Sequence, residues 1–153
     1  MTTDNVHLHE INKFGSQAER WWDKNGEFKT LHDVNPLRIS FIQQFINPQD
    51  QRMVDVGCGG GILTEGLANK GANITGIDLS QELLDVADLH SLESGANAKY
   101  QKISAEALAE AEPASFDHIV CMEMLEHVPE PGSVIAACAT LVKPGGYVFF
   151  STL

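Results

Sequence analysis

The stretch that decides the fold is Met53-Val-Asp-Val-Gly-Cys-Gly-Gly-Gly61, a short apolar segment followed by a cluster of glycines. Residues 53–56 have the length and apolarity of a buried strand, interrupted only by Asp55. Glycine lets a chain bend sharply and lets a ligand approach the backbone without a Cβ in the way. The stretch therefore predicts a strand, a tight binding turn and the start of a helix.

Strand and helix patterns alternate on the carboxyl side of this turn. Apolar strand segments are predicted at 73–77, 99–103, 116–121 and 147–152, and helices at 62–70, 80–95, 105–111 and 131–142. Such alternation, with strands apolar on both sides, is typical of a parallel sheet covered by helices on both faces. We predict an α/β fold with a doubly wound, mostly parallel sheet. Ligands of such sheets bind beyond the carboxyl ends of the strands.

The region before the turn is predicted to be helical. Residues 7–24 carry Phe14, Ala18, Trp21 and Trp22 at the spacing of one helix face. A loop is expected over 26–35, and Pro36 suits the first turn of a second helix. We assign residues 1–47 to an N-terminal helical cap and 48–153 to the core.

Composition restricts the partners of this chain. Its 153 residues hold 10 basic and 21 acidic side chains, for a formal charge of −11. Nucleic-acid binding depends on cationic contacts to phosphate, so a nucleic-acid partner is disfavoured. The three cysteines form no C-x-x-C pair, and no signal-like segment opens the chain, which together favour a cytoplasmic location.

Asp78 follows the second predicted strand about 20 residues after Gly57, the usual distance for an acid that binds the ribose hydroxyls of adenosine. A dinucleotide site would need G-x-G-x-x-G. The last position of that motif is Ile62 when it is counted from Gly57 and Thr64 when it is counted from Gly59, so the motif is absent. The remaining pattern, with Lys143-Pro-Gly-Gly146 before the fifth strand, suits an adenosine ligand without pyrophosphate. It favours S-adenosylmethionine (SAM) and a methyltransferase.

The segment after the fourth strand contains a cluster of titratable side chains. In a helical turn, Glu123, Glu126 and His127 would share one face. They could hold a hard cation such as Mg²⁺ that lowers the pKa of a bound phenol. Two other interpretations remain open: a solvated turn, or His127 acting alone as a general base.

These motifs resemble a known family, the O-methyltransferases of bacterial ubiquinone biosynthesis, within the class I SAM-dependent methyltransferases. The glycine turn is common to the whole superfamily, whereas the segments around it are more specific and extend along the chain. The matching segments are Arg20-Trp-Trp-Asp23, Gly26-Glu-Phe-Lys29, Asn35-Pro-Leu-Arg38, Leu89-His90, Glu93-Ser-Gly95, Cys121-Met-Glu-Met-Leu-Glu-His-Val-Pro129 and Phe149-Phe-Ser-Thr-Leu153.

The resemblance implies which residues serve the site. Cofactor contacts fall on Arg38, Gly57, Asp78 and Met122, with Arg38 meeting the carboxylate of the methionine part. The Mg²⁺ ligands would be Glu123, Glu126 and His127. Trp21, Trp22 and Phe28 could help close a lid, although helix packing against the core is the simpler explanation.

The resemblance also implies the reaction and its partners. The substrates would be polyprenylated phenols and quinols, with contact to the inner membrane or to other ubiquinone-biosynthesis proteins left open. Family members continue beyond the fifth strand, so we expect this chain to be truncated there, with an unpaired strand edge. The alternatives are another small-molecule SAM methyltransferase and a non-catalytic SAM-binding fragment.

Overall fold

A five-stranded parallel sheet organises the molecule. The computed structural model describes residues 19–122 and 124–152. Its strands are β1 (Arg52–Val56), β2 (Asn73–Asp78), β3 (Ala98–Lys102), β4 (Phe116–Met122) and β5 (Val142–Ser151). Its helices are α1 (Lys29–Gln43), α2 (Ile62–Ala68), α3 (Gln81–Ser94), α4 (Ala105–Ala111) and α5 (Pro131–Leu141), with a 3₁₀ turn at Leu125–His127.

The strand order is β3-β2-β1-β4-β5, and all neighbouring pairs are parallel. The chain winds outward from β1 in one direction to β3 and then in the other to β5. The order therefore reverses between β1 and β4, where a doubly wound sheet opens a crevice at its carboxyl edge. The predicted fold class is confirmed.

Apolar side chains cover both faces of the sheet. Successive residues of a strand point to opposite sides, so Met53 belongs to one buried cluster and Val54 to the other. Helices α1 and α2 complete the first cluster through Ile42 and Leu67, and α4 and α5 complete the second. Both clusters lock the helices to the sheet and position the loops at the carboxyl edge.

The helix before the core differs from its prediction. Helix α1 begins at Lys29, seven residues before the expected start, and Pro36 lies inside it. A proline within a helix removes one backbone N–H, so the carbonyl of His32 loses its usual donor. The packing of Ile39 and Ile42 on the sheet stabilises the helix despite this loss. Of the helix predicted at 7–24, only the part after residue 18 is described, and residues 19–22 are helical.

The fifth strand also differs from its prediction. Strand β5 starts at Val142, which pairs with Phe116, and pairing resumes at Tyr147 opposite His118. The intervening Lys143-Pro-Gly-Gly146 segment bulges out of the ladder, and Gly145 has a φ of 85°. The predicted turn is therefore an irregularity within the strand, because residues on both sides of it pair with β4.

Two other features bear on the predictions. Among the described strands, β5 lies at an edge of the sheet, and the association expected of that edge stays a prediction, as does a domain boundary after residue 47. In the described ranges, no helix combines the length and apolarity needed to cross a bilayer.

Candidate functional site

A cavity of about 1070 Å³ lies at the carboxyl edge of the sheet. The glycine turn, the end of β2, the segment after β4 and one face of α1 form its walls. All four residues predicted to contact a cofactor line it: Arg38, Gly57, Asp78 and Met122.

The glycine turn is held rigidly to the neighbouring strand. The N–H groups of Gly57 and Cys58 both donate to the carbonyl of Ile77, at 2.9 and 3.0 Å. Gly57 has a φ of 72°, and a Cβ there would lie 2.8 Å from Cγ of Met124. Only glycine meets both conditions, so the sequence keeps bare backbone at the cavity wall.

Asp78 already binds the turn from the end of β2. Its Oδ2 accepts from the Gly59 N–H at 3.0 Å, and its Oδ1 accepts from the Ser80 N–H at 2.9 Å. Ser80 in turn caps α3, because its Oγ accepts from the Leu83 N–H at 3.2 Å. A carboxylate has about four acceptor positions, so Asp78 can still receive two hydroxyl donors from the cavity.

Asp55 is a buried acid in the cavity wall. Only 3% of its surface is exposed, and Thr64 Oγ1 donates to its Oδ2 at 2.7 Å. Burial raises its pKa from 3.8 to about 7; the Thr64 hydrogen bond and the Arg38 charge oppose this rise, and the Asp78 charge adds to it. Asp55 is therefore sensitive to any charge that enters the cavity.

Burial also raises the pKa of the Cys58 thiol, and the nearby charges of Asp55 and Asp78 add to that effect. Cys58 lines the cavity but stays protonated, so it lacks the thiolate that nucleophilic catalysis requires.

One face of α1 contributes three further wall residues, Leu31, Asn35 and Arg38. Their i, i+4, i+7 spacing places them on one side of the helix. Asn35 Nδ2 donates to the Ile62 carbonyl at 3.3 Å, whereas its buried Oδ1 finds no donor within the described ranges. A buried acceptor without a partner beside Arg38 points to a ligand that carries a donor and an anion.

Two tryptophans lie against the glycine turn. Trp22 Nε1 donates to the Gly60 carbonyl at 3.0 Å. The Trp21 ring lies over Gly59 and Gly60, lines the cavity and packs on Phe28 with ring centroids 4.3 Å apart. The simpler expectation of core packing is therefore incomplete, because Trp21 is itself part of the cavity wall.

Of the two predicted metal ligands that the structure describes, one lines the cavity. His127 lines it, whereas Glu126 lies outside the lining and its Oε2 accepts from Thr152 Oγ1 at 3.4 Å. Glu123 lies outside the described residues. Within the described part of the chain, no three His, Cys, Asp or Glu side chains are grouped closely enough to hold a metal ion.

Sequence reasoning missed Asn35, Glu65 and His90. The predicted loop over 26–35 includes Asn35, so the sequence does not place it on a helix. A helix that starts before residue 35 puts Asn35 and Arg38 on the same face, because they are three residues apart. His90 lies in the middle of a helix in the sequence pattern, yet in the structure it stacks on Trp22 and pairs with Glu65. That contact joins residues far apart in sequence, so no local pattern indicates it.

The fold and the glycine-walled cavity define the class. The chain belongs to the methyltransferase domain family, whose model matches residues 54–150. It is similar over its whole length to the ubiquinone biosynthesis O-methyltransferase of Methylococcus capsulatus, with 63% identity over 153 residues. The chain spans 65% of the length of that relative.

Solved structures share the architecture. Phosphoethanolamine N-methyltransferase 2 of Haemonchus contortus, in complex with SAM, is 26% identical with a TM-score of 0.68; the match covers 76% of this chain and 28% of that one. Magnesium protoporphyrin IX methyltransferase of Synechocystis, with bound SAM, is 20% identical with a TM-score of 0.70 over 93% of this chain and 73% of that one. The second likeness concerns the fold alone.

Proposed function

We propose that this chain is the SAM-binding part of an O-methyltransferase that methylates phenolic hydroxyls of polyprenylated ubiquinone precursors. The observation that carries the proposal is the cavity, which combines bare glycine backbone, an acid at the ribose position and an Asn35–Arg38 pair. The 63% identity to a ubiquinone biosynthesis O-methyltransferase supports the reaction and substrate class. A cytoplasmic location beside the inner membrane is part of the same proposal.

The amino-acid end of the cofactor suits helix α1. Arg38 supplies a guanidinium for the carboxylate, and Asn35 Oδ1 supplies the acceptor that an ammonium group needs. Residues three apart on a helix lie side by side, so one zwitterion can meet both. The unpartnered oxygen of Asn35 therefore supports an amino-acid subsite at this wall.

The adenosine end suits the opposite wall. Asp78 keeps acceptor positions for two ribose hydroxyls after binding Gly59 and Ser80. Leu79 and Met122 line the cavity and offer apolar surface to a base. When bound, SAM would supply a sulfonium-activated methyl group for transfer to the phenolate oxygen, which gives an O-methyl ether with S-adenosylhomocysteine (SAH) as the leaving group.

The phenol must lose its proton, and His127 is the described residue best placed to accept it. It lines the cavity beside Val128, and histidine is the commonest general base in enzymes. The competing proposal is a Mg²⁺ site on Glu123, Glu126 and His127, a donor set that suits a hard cation. Against it stands the position of Glu126, which lies outside the cavity lining and accepts from Thr152 Oγ1.

Chelation separates these two versions. If His127 acts alone, His127→Asn abolishes phenol methylation, while excess EDTA and Glu126→Gln leave the rate unchanged. If the metal is required, EDTA and Glu126→Gln both stop turnover, and added Mg²⁺ restores the EDTA-treated enzyme.

The proposed function itself is tested in two steps. Calorimetry should detect SAH binding by this chain, and mass spectrometry should find one added methyl per phenol when a panel of polyprenylated phenols is supplied with SAM. Absence of SAH binding would refute the cofactor proposal. Methylation of another acceptor alone would favour another small-molecule methyltransferase, and binding without any turnover would favour a non-catalytic module.

A further inference from the structure

A chain of contacts links the glycine turn to a hydrogen-bonded pair, His90 and Glu65, outside the cavity. Trp22, whose N–H binds the Gly60 carbonyl, stacks on the His90 ring with centroids 3.4 Å apart and planes within 1°. His90 Nδ1 lies 2.6 Å from Oε2 of Glu65. Glu65 on α2 holds His90 on α3, His90 holds the Trp22 ring, and Trp22 binds the glycine turn.

The first residue in this chain of contacts, Glu65, has a side chain that is buried and fixed by hydrogen bonds. Its side chain is only 5% exposed, and its second oxygen accepts from Ser94 Oγ at 2.8 Å. A buried carboxylate is costly unless it is paired and hydrogen-bonded, so Glu65 holds His90 in place. Glu65 also lies one turn after Gly61, to whose carbonyl its N–H donates at 2.9 Å.

Trp21 is carried by the same segment. Its carbonyl contacts His32 Nε2 at 2.9 Å, so α1 holds the backbone while His90 holds the next ring. Its own Nε1 is buried and finds no acceptor in the described part of the chain. This N–H lies against Gly60, so the indole ring is packed onto the backbone of the turn while the side chain also lines the cavity.

We propose that Glu65 and His90 are positioning residues that hold Trp22, and through it Trp21, over the glycine turn, where Trp21 closes the cofactor cavity. The inference rests on the proposed function, because it assumes that the cavity takes SAM. Changes at Glu65 or His90 should therefore lower the affinity for the cofactor and have little effect on the rate of the chemical step. Neither residue lines the cavity, so both act through the tryptophans.

Trp22→Phe is the mildest test, because it removes the N–H donor while an aromatic ring remains to stack on His90. We expect KM for SAM and Kd for SAH to rise about five- to tenfold, the usual effect of losing one net hydrogen bond, with kcat within about twofold. His90→Gln should raise both constants at least as much. Glu93→Gln, an exposed change on the same helix as His90, should leave both unchanged.

Tryptophan emission provides a readout independent of turnover. The chain holds two tryptophans, Trp21 and Trp22, so intrinsic fluorescence reports on this segment alone. His90→Gln should shift the emission to the red as Trp22 becomes solvated, and SAH should change the emission of the unaltered chain. Glu93→Gln should retain the original spectrum.

Three results would overturn the inference: unchanged SAH affinity in both Trp22→Phe and His90→Gln, unchanged emission in His90→Gln, or equal losses in kcat and affinity that follow a lowered melting temperature. Failure of the proposed function is distinguishable. In that case the unaltered chain binds no SAH, while the red shift of His90→Gln still reports how Trp22 is held.

Discussion

The Asp78 carboxylate holds the glycine turn and is also the residue proposed to bind the ribose of the ligand. Two of its acceptor positions bind the backbone of Gly59 and Ser80, so removing the charge loosens the turn as well as the ribose subsite. The acid proposed to bind the ribose is thus also part of the scaffold that shapes the cavity.

Asp78→Asn should weaken SAH binding about 10- to 100-fold, because the amide offers fewer acceptor positions and its NH₂ group opposes the backbone donors. Titration calorimetry measures the loss directly. Asp88→Asn, on the exposed side of α3, is the matched control and should bind SAH like the unaltered chain. Equal affinities for all three proteins would contradict the role given to Asp78.

Asp55 makes stability depend on pH. Its folded pKa is raised from 3.8 to about 7, so the folded state holds a proton that the unfolded state releases. The favourable contribution is therefore complete below pH 3.8 and is lost as the pH rises through 7. Between pH 5 and 8 this group should lower the free energy of unfolding by about 2–3 kcal/mol.

Asp55→Asn removes this dependence. Urea unfolding should therefore show that the free energy of unfolding of the variant increases relative to that of the unaltered chain as the pH rises from 5 to 8. Asp117→Asn is the control: the Arg52 N–H is the main cause that holds the pKa of Asp117 below 3.8, and a nearby Lys143 adds to it. Its effect on stability should be the same at pH 5 and 8. A constant difference for Asp55→Asn would show that Asp55 is ionised throughout this range.

At the scale of elements, glycines in the turn and in a helix should respond oppositely to the same change. Gly61 is the N-cap of α2 and has a φ of 91°, and a Cβ there would collide with the Tyr100 hydroxyl, so Gly61→Ala should lower the free energy of unfolding by about 1–3 kcal/mol. Gly132 lies in the first turn of α5 with nothing within 4 Å of an added Cβ. Gly132→Ala should therefore raise stability by about 0.5–1 kcal/mol.

Chemical denaturation of the two glycine variants measures both effects. Gly95→Ala separates the causes of the Gly61 effect, since Gly95 has a φ of 75° but no neighbour within 4 Å. Its loss should be smaller, because it carries the backbone strain without the collision. Equal losses at Gly61 and Gly95 would mean that Tyr100 moves aside at no cost.

For the whole molecule, ligand binding should stabilise the fold. The cavity is built from elements far apart in sequence, so only the folded chain can bind the ligand. SAH at about 100 times its Kd should raise the free energy of unfolding by about 2.7 kcal/mol. In a domain of this size the melting temperature should rise by roughly 5–10 °C. Asp78→Asn should show a smaller rise at the same concentration, and a comparable rise with NADH would contradict the assigned ligand class.

Local spacing in the sequence was sufficient for most of the core. Strands β1 to β4, the helix capped by Ser80 and the glycine turn all follow from apolar periodicity and from residues suited to one backbone conformation. The positions of Gly57 and Asp78 at the ends of adjacent strands then follow from parallel pairing, which gathers the carboxyl ends at one edge. The sequence alone therefore determined the fold class and where a ligand would enter.

Tertiary contacts decided the rest. The early start of α1, and with it the place of Asn35 beside the cavity, depends on packing against the sheet rather than on local propensity. The raised pKa of Asp55 depends on burial, and the stacking of Trp22 on His90, which in turn bonds Glu65, joins three segments distant in sequence. Spacing along a chain carries information about neighbours a few residues away, whereas burial and long-range pairing arise only once the chain has folded.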